Sequence, residues 1–202
     1  MKSILKLIVL LFILTNANAQ RILPLEEDNF GNMGVSGNYY KDLDHEMNYF
    51  VGTWMHDDGN MQFKITIKKE EGVPFNGSLK DMLVGEYSLT IDGVEKINTL
   101  TLINQRAGRN HLIHGNSILY NCRYPDATQC RDGDPRFRLT MKYPDVADPL
   151  GNIYLHKPAN ETIGNDQLIG SMSFKYYSSL NVGETVPEID LPWKADFKFI
   201  RQ

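Results

Sequence analysis

The sequence predicts a mostly β domain, an antiparallel barrel or strongly curved sandwich of about eight to ten strands with one short N-terminal helix. Three observations carry this. In Met61-Gln62-Phe63-Lys64-Ile65-Thr66-Ile67-Lys68 every odd position is apolar and every even one polar, the mark of a strand with one face in a core and one in water. Asp57-Asp58-Gly59-Asn60 and Asp92-Gly93 supply residues that tolerate positive φ, so each joins two such runs as a hairpin. Between the strand candidates no segment has the length of a crossover helix, which argues against a parallel α/β sheet.

Taken in order, residues 1–19 have the layout of a secretory signal peptide: Lys2 and Lys6, the apolar run Leu7 to Leu14, then Asn16-Ala17-Asn18-Ala19. That run falls far short of the about 20 residues that span a bilayer, and no second one follows, so no transmembrane segment is expected. Gln20, not Cys, follows the expected cut and offers no thiol for a lipid anchor. The expected address is the periplasm or the cell exterior, without lipid attachment. Residues 20–38, rich in Gly, Asn and acidic side chains, read as an irregular N-terminal segment, with Ile22 and Leu23 available to pin it to the rest.

Residues 39–202 read as a single β-barrel-like domain. Leu43, Met47 and Phe50 fall at i, i+4 and i+7, compatible with a short helix across one end of a sheet. After Phe50 the period changes to two. Strands are expected at Thr53 to His56, Met61 to Lys68, Leu83 to Ile91, Val94 to Leu102, His111 to Leu119, Arg136 to Tyr143, Asn152 to His156, Gln167 to Tyr177 and Trp193 to Ile200. Pro144, Pro149, Pro158, Pro187 and Pro192 fall between them, where a missing amide donor does no harm. This pattern nominates Trp54, Phe63, Ile65, Tyr87, Phe137, Met141, Phe174, Trp193 and Phe197 for the interior, as core or as the lining of a cavity.

Charge narrows the partners. The chain has 21 basic and 25 acidic residues, and loss of Lys2 and Lys6 with the signal moves the formal charge from −4 to −6. Nucleic-acid binding needs clustered positive charge to replace phosphate counterions, and no basic stripe is present. Cys122 and Cys130 are the only cysteines. Export would place them where disulfides persist, and the polar loop between them can bring their ends together, a closure that contributes about 2.6 kcal/mol if unstrained. Seven intervening residues, where a catalytic dithiol usually has two, argue against redox catalysis.

No catalytic or metal-binding constellation stands out, and no cofactor or metal is expected. His111 and His114 have a His-x-x-His spacing, but on a strand residues three apart face opposite sides. His56-Asp57-Asp58 is explained by turn chemistry at a hairpin tip, and Asp132-Gly133-Asp134 lacks the remaining positions of a calcium loop. Asn76-Gly77-Ser78 and Asn160-Glu161-Thr162 read as loop residues. The elbows and glycine loops of serine hydrolases, zinc proteases and phosphate binders are absent.

Phe50-Val51-Gly52-Thr53-Trp54 resembles the Phe-x-Gly-x-Trp opening of the first barrel strand in lipocalins and intracellular fatty-acid-binding proteins. The resemblance implies a lipocalin-like barrel in which Trp54 closes the floor and a basic residue late in the chain, here Arg201, lies over it. The direct turn at Asp57 to Asn60 departs from the helical pair of fatty-acid-binding proteins. More broadly, Tyr40-Lys41-Asp42, Phe50 to Trp54, Gly59-Asn60 with Phe63, Asp81 to Tyr87, and Gly93 to Leu100 resemble an uncharacterised family of exported flavobacterial proteins, a domain of unknown function. That resemblance implies source and address and carries no activity.

Two functions follow as expectations. One is a non-enzymatic, monomeric binding domain for a small apolar ligand or a cell-envelope partner. The other is an extracytoplasmic hydrolase of glycan or lipid using carboxylates at the barrel mouth. The address is checked by the intact mass of the protein from its native host, which should match a chain starting at Gln20 with no acyl group. Retention of residues 1–19, or an added acyl mass, contradicts it.

Overall fold

The computed structural model describes residues 20–26, 35–123, 127–144, 149–159, 166–174 and 196–202. The expected signal peptide at 1–19, Trp193 and the Asn160-Glu161-Thr162 sequence lie outside the described residues, as does the side chain of Phe174. The period-two runs become β1 (Arg21–Pro24), β2 (Asn38–Lys41), β3 (Gly52–Asp57), β4 (Met61–Phe75), β5 (Ser78–Ile91), β6 (Val94–Asn98), β7 (Ile113–Leu119), β8 (Arg136–Lys142), β9 (Pro149–His156), β10 (Gln167–Phe174) and β11 (Asp196–Arg201). Hydrogen-bonded neighbours run β5-β4-β3-β11-β10-β9-β8-β7, and β7 pairs back with β5, so eight antiparallel strands close a barrel. Outside it, β6 continues antiparallel on the far half of β5, while β2 lies parallel to the near end of β5 and β1 parallel to β2.

The longest ladder is the β4–β5 hairpin, whose turn is Asn76-Gly77 at φ 45° and 80°. Two successive positive φ angles are what a two-residue hairpin turn needs to match the twist of its strands, and Asn-Gly adopts them at least cost. The sequence reading ended the strand near Lys68 and took Asn76-Gly77-Ser78 for a loop; the strands in fact run seven residues past Lys68 to Phe75 and resume at Ser78.

Alternation puts the aromatic side chains inside. Trp54, Phe63, Ile65, Tyr87, Phe137, Met141 and Phe197 are all fully buried, together with Phe50 and Phe199. Their rings meet edge-on or tilted: Phe63 lies 5.7 Å from Tyr87, 5.5 Å from Phe197 and 5.6 Å from Phe199, and Phe50 lies 4.9 Å from Phe137. Such pairs contribute beyond the area they bury.

One end of the barrel is closed by the segment before β3. The expected short N-terminal helix is not formed. Residues 38–41 are β2, and what remains is one 3-10 turn, Glu46–Tyr49. Buried Asp42 organises that turn by accepting the amides of Glu46 (2.9 Å) and Met47 (3.3 Å), which points Met47 and Phe50 inward while Leu43 stays exposed. Residues 21–24, expected to be irregular, form β1, and Leu23 and Leu25 reach the core.

Gly52 shows why the Phe-x-Gly-x-Trp run has a glycine. The Arg201 guanidinium lies 4.1 Å from the centroid of Trp54 and donates to the carbonyls of Val51 (2.8 Å) and Tyr49 (2.9 Å). Gly52 has φ +141°, and a Cβ there would come within 2.5 Å of Arg201 Nη1. Any side chain at 52 would displace the arginine that ties the last strand to the barrel floor.

Phe63→Ala removes the ring shared by three neighbours, and equilibrium urea unfolding should show a loss of about 3–5 kcal/mol. Val94→Ala, at an exposed site, should stay within about 0.5 kcal/mol of the parent. Equal, small effects would contradict the packed interior.

Candidate functional site

The site lies on the outer wall of the barrel, where a bulge in β4 meets a segment folded back from β6. The β4–β5 register shifts between Glu70 and Val73, and Gly72 sits in the extra turn at φ +62°. Bulges of this kind re-aim side chains on either side.

The covering segment is residues 99–112. The sequence reading carried β6 to Leu102, but the ladder stops at Asn98, and 3-10 helix Leu100–Asn104 follows. Buried Thr99 makes the turn: its hydroxyl donates to the Tyr87 carbonyl (3.1 Å) and accepts the Tyr87 amide (3.3 Å). No residue of that 3-10 helix is buried, so polar anchors hold this part of the segment down, while Leu112 at its end joins the core. Lys68 Nζ donates to the Ile103 carbonyl (3.3 Å) and Asn104 Oδ1 (2.9 Å), and Lys142 Nζ to the Arg109 carbonyl (2.8 Å).

The strongest anchor is a buried array of four side chains. Arg106 Nη1 donates to both oxygens of Glu86 at 3.0 Å. His111 stands between two carboxylates, its Nδ1 3.1 Å from Glu86 Oε1 and its Nε2 3.3 Å from Glu70 Oε1. The second Glu70 oxygen accepts the Gly108 amide at 2.7 Å. His111 and Glu86 are wholly excluded from solvent, whereas Glu70 keeps part of its surface. His111 thus bridges the two carboxylates, one ring nitrogen to each, while Arg106 holds Glu86 as well. A buried array of this kind is matched or it is costly.

Beside it opens a cleft of about 420 Å³, with residues 70–74 of the β4 bulge on one wall and Ala107, Gly108, Arg109 and Asn110 on the other. Glu70 is the member of the array that reaches it. Glu71, exposed at the rim, stands 3.6 Å from Lys69. Arg109 stacks its guanidinium 5.0 Å from the Phe75 centroid and makes no ion pair among the described residues.

The His-x-x-His pair does not converge. His114 Nδ1 donates to the backbone carbonyl of His111 (3.1 Å), while the His111 ring is committed to the carboxylates. Burial, aided by Lys142, pushes the His114 imidazole down to about 4. His56-Asp57-Asp58 is a hairpin tip whose carboxylates accept the amides of Gly59, Asn60 and Met61. Asp132 accepts the Cys122 amide (2.9 Å) and Asp134 pairs with Arg131, so this stretch closes the loop spanned by the Cys122–Cys130 disulfide. Among the described residues no group of three or more His, Cys, Asp or Glu is arranged to hold a metal, and no helix is long and apolar enough to cross a membrane.

Of the candidate interior residues, Trp54, Phe63, Ile65, Tyr87, Phe137, Met141 and Phe197 lie together in the core of the barrel, apart from this array and cleft, while Trp193 and the Phe174 side chain fall outside the described residues. Sequence reasoning singled out only His111 of the four array members. Glu70 and Glu86 carried no signal, because an outward-facing strand position looks exposed until something folds over it, and Arg106 lies on the segment that does the folding.

The chain belongs to a family of unknown function, DUF6705, whose model matches residues 1–149, a span that takes in the array and both walls of the cleft. No curated protein and no solved structure matches it.

Glu86→Ala leaves the buried His111 and the part-buried Arg106 without their shared anion, and should cost about 3–5 kcal/mol in denaturant unfolding. A loss under about 1 kcal/mol would mean the array is solvated. His114 makes a separate pH prediction. Its folded-state value lies below the ordinary value of about 6.5, so its neutral form is favoured in the folded state, and stability complete above about pH 6.5 is lost as pH falls toward 4. His114→Gln should flatten that slope, by up to about 3 kcal/mol at the acid end. An unchanged slope would contradict the burial.

Proposed function

We propose that this family member is an exported, non-enzymatic binding domain that meets a cell-envelope partner on the outer wall of its barrel, at the cleft between the β4 bulge and Gly108–Asn110. The observation that carries this reading is the filling of the barrel by its own rings. An eight-stranded barrel is either filled by its own side chains or holds one small ligand. Here Phe63 alone touches three other interior rings, and Phe50 and Phe137 pack together near the floor. This favours a partner at the outer cleft over a small apolar ligand carried inside.

The disulfide suits an oxidising compartment and so supports export. Arg201 over Trp54 supports kinship of form with lipocalins, and a flavobacterial origin belongs to the same proposal. A hydrolase has less support at this site. Its two best-placed carboxylates, Glu70 and Glu86, are separated by the His111 ring, whereas a glycosidase pair faces across an open gap.

Two measurements test the proposal. Laurate titrated into labelled protein should leave the amide resonances of Phe63, Tyr87, Phe137 and Phe197 unmoved; saturable shifts there would favour the carrier. A photo-crosslinking residue at Asn110, in the native host, should give one discrete adduct with an envelope component. Absence of any adduct would count against a partner at the cleft.

A further inference from the structure

We infer that the cleft on the outer wall recognises a zwitterion, an ammonium and a carboxylate a few ångströms apart, as in a free amino acid or a dipeptide with unblocked ends. This rests on the cleft being the binding surface proposed above. Its two walls carry opposite charge. Glu70 and Glu71 come from the β4 bulge, Arg109 and Asn110 from the 3-10 turn opposite.

These charges do not neutralise one another across the gap. Glu71 is within ion-pair distance of Lys69 only, and Arg109 faces the Phe75 ring without an anion among the described residues. Glu70 is held in place by the Gly108 amide and His111 and keeps part of its surface, so it is presented as a fixed acceptor. Asn110 adds an amide donor beside Arg109 for a carboxylate. Val73 and Pro74 give the same wall an apolar stretch for a short side chain, and at the base of the cleft Val73 packs against Gly108, where a Cβ would come within 2.8 Å of it. The volume suits a molecule of a few dozen atoms or fewer.

A cation alone would meet Arg109, and an anion alone would meet Glu70 and Glu71. Only a molecule carrying both, in the matching orientation, turns both walls to advantage. The small apolar stretch and the walls' own hydrogen-bonding groups favour a peptide-like body between the two charged ends.

The test is a titration of labelled protein, read by amide shifts, with alanyl-alanine as the probe. Controls are the same dipeptide acetylated at its N-terminus, amidated at its C-terminus, or blocked at both. Unblocked dipeptide should move the amides of residues 70–73 and 107–110 saturably, and each single block should weaken binding about tenfold. Glu71→Gln and Arg109→Gln should do the same. Both side chains are exposed, so neither variant threatens the fold. Equal binding of the doubly blocked form, or no shifts up to the solubility limit, overturns the zwitterion. If the crosslink at Asn110 forms while the dipeptide fails, the partner surface stands and this inference alone falls. Failure of both removes the cleft as a binding surface.

Discussion

The two charge clusters of this barrel meet at one place in β4, the consecutive pair Lys69-Glu70 and the bulge that follows it. In a strand, consecutive side chains point to opposite faces. Lys69 therefore turns toward the closed end of the barrel, 2.9 Å from Asp42, while Glu70 turns outward to His111. The extra residue then lets the chain bend, so that the Gly72 amide donates to Asp81 at 3.1 Å and Glu71 turns to solvent. Asp81 also accepts the Tyr39 hydroxyl (2.6 Å) and the Asp42 amide (3.0 Å). Partial burial, and then the Asp81 carboxylate beside it, pushes the Tyr39 phenol well above its ordinary range.

The inner cluster and the outer array do different work. Asp42, Asp81 and Lys69 fix the segment that closes the barrel floor, and Asp42 itself caps the 3-10 turn that carries Met47. Glu70, His111, Glu86 and Arg106 fix residues 99–112 against the outer wall, where no apolar anchor from the 3-10 helix is available. Ion pairs excluded from water add little net stability over apolar packing, yet they tolerate only one arrangement. That trade suits a wall segment whose position defines a cleft. The stability itself comes from the ring-packed interior.

Much of the fold was legible because alternation reports which face of a strand meets the core. Met61 to Lys68, Arg136 to Tyr143 and the Asp92-Gly93 turn needed nothing more. The helix expected from Leu43, Met47 and Phe50 failed because three matching positions span less than two secure turns, and the carboxylate of Asp42 captures the amides that a helix would start from. The full length of the β4–β5 hairpin was written in Asn76-Gly77, a two-residue turn signal that the loop reading passed over. The array was not legible. Glu70, Glu86 and the Arg106–His111 stretch come from three separate parts of the chain, and only the return of residues 99–112 over the wall brings them together.

The array binds this return segment to the barrel, so that the two open together. One amide reports on it: Gly108, whose N–H is donated to Glu70 at 2.7 Å. Its hydrogen exchange, followed across denaturant concentration, should track the global unfolding of the barrel, and His111→Gln should uncouple it, making it exchange faster than the interior strands. A Gly108 amide that already exchanges independently of the barrel in the parent protein, or that is unmoved by His111→Gln, would contradict the account.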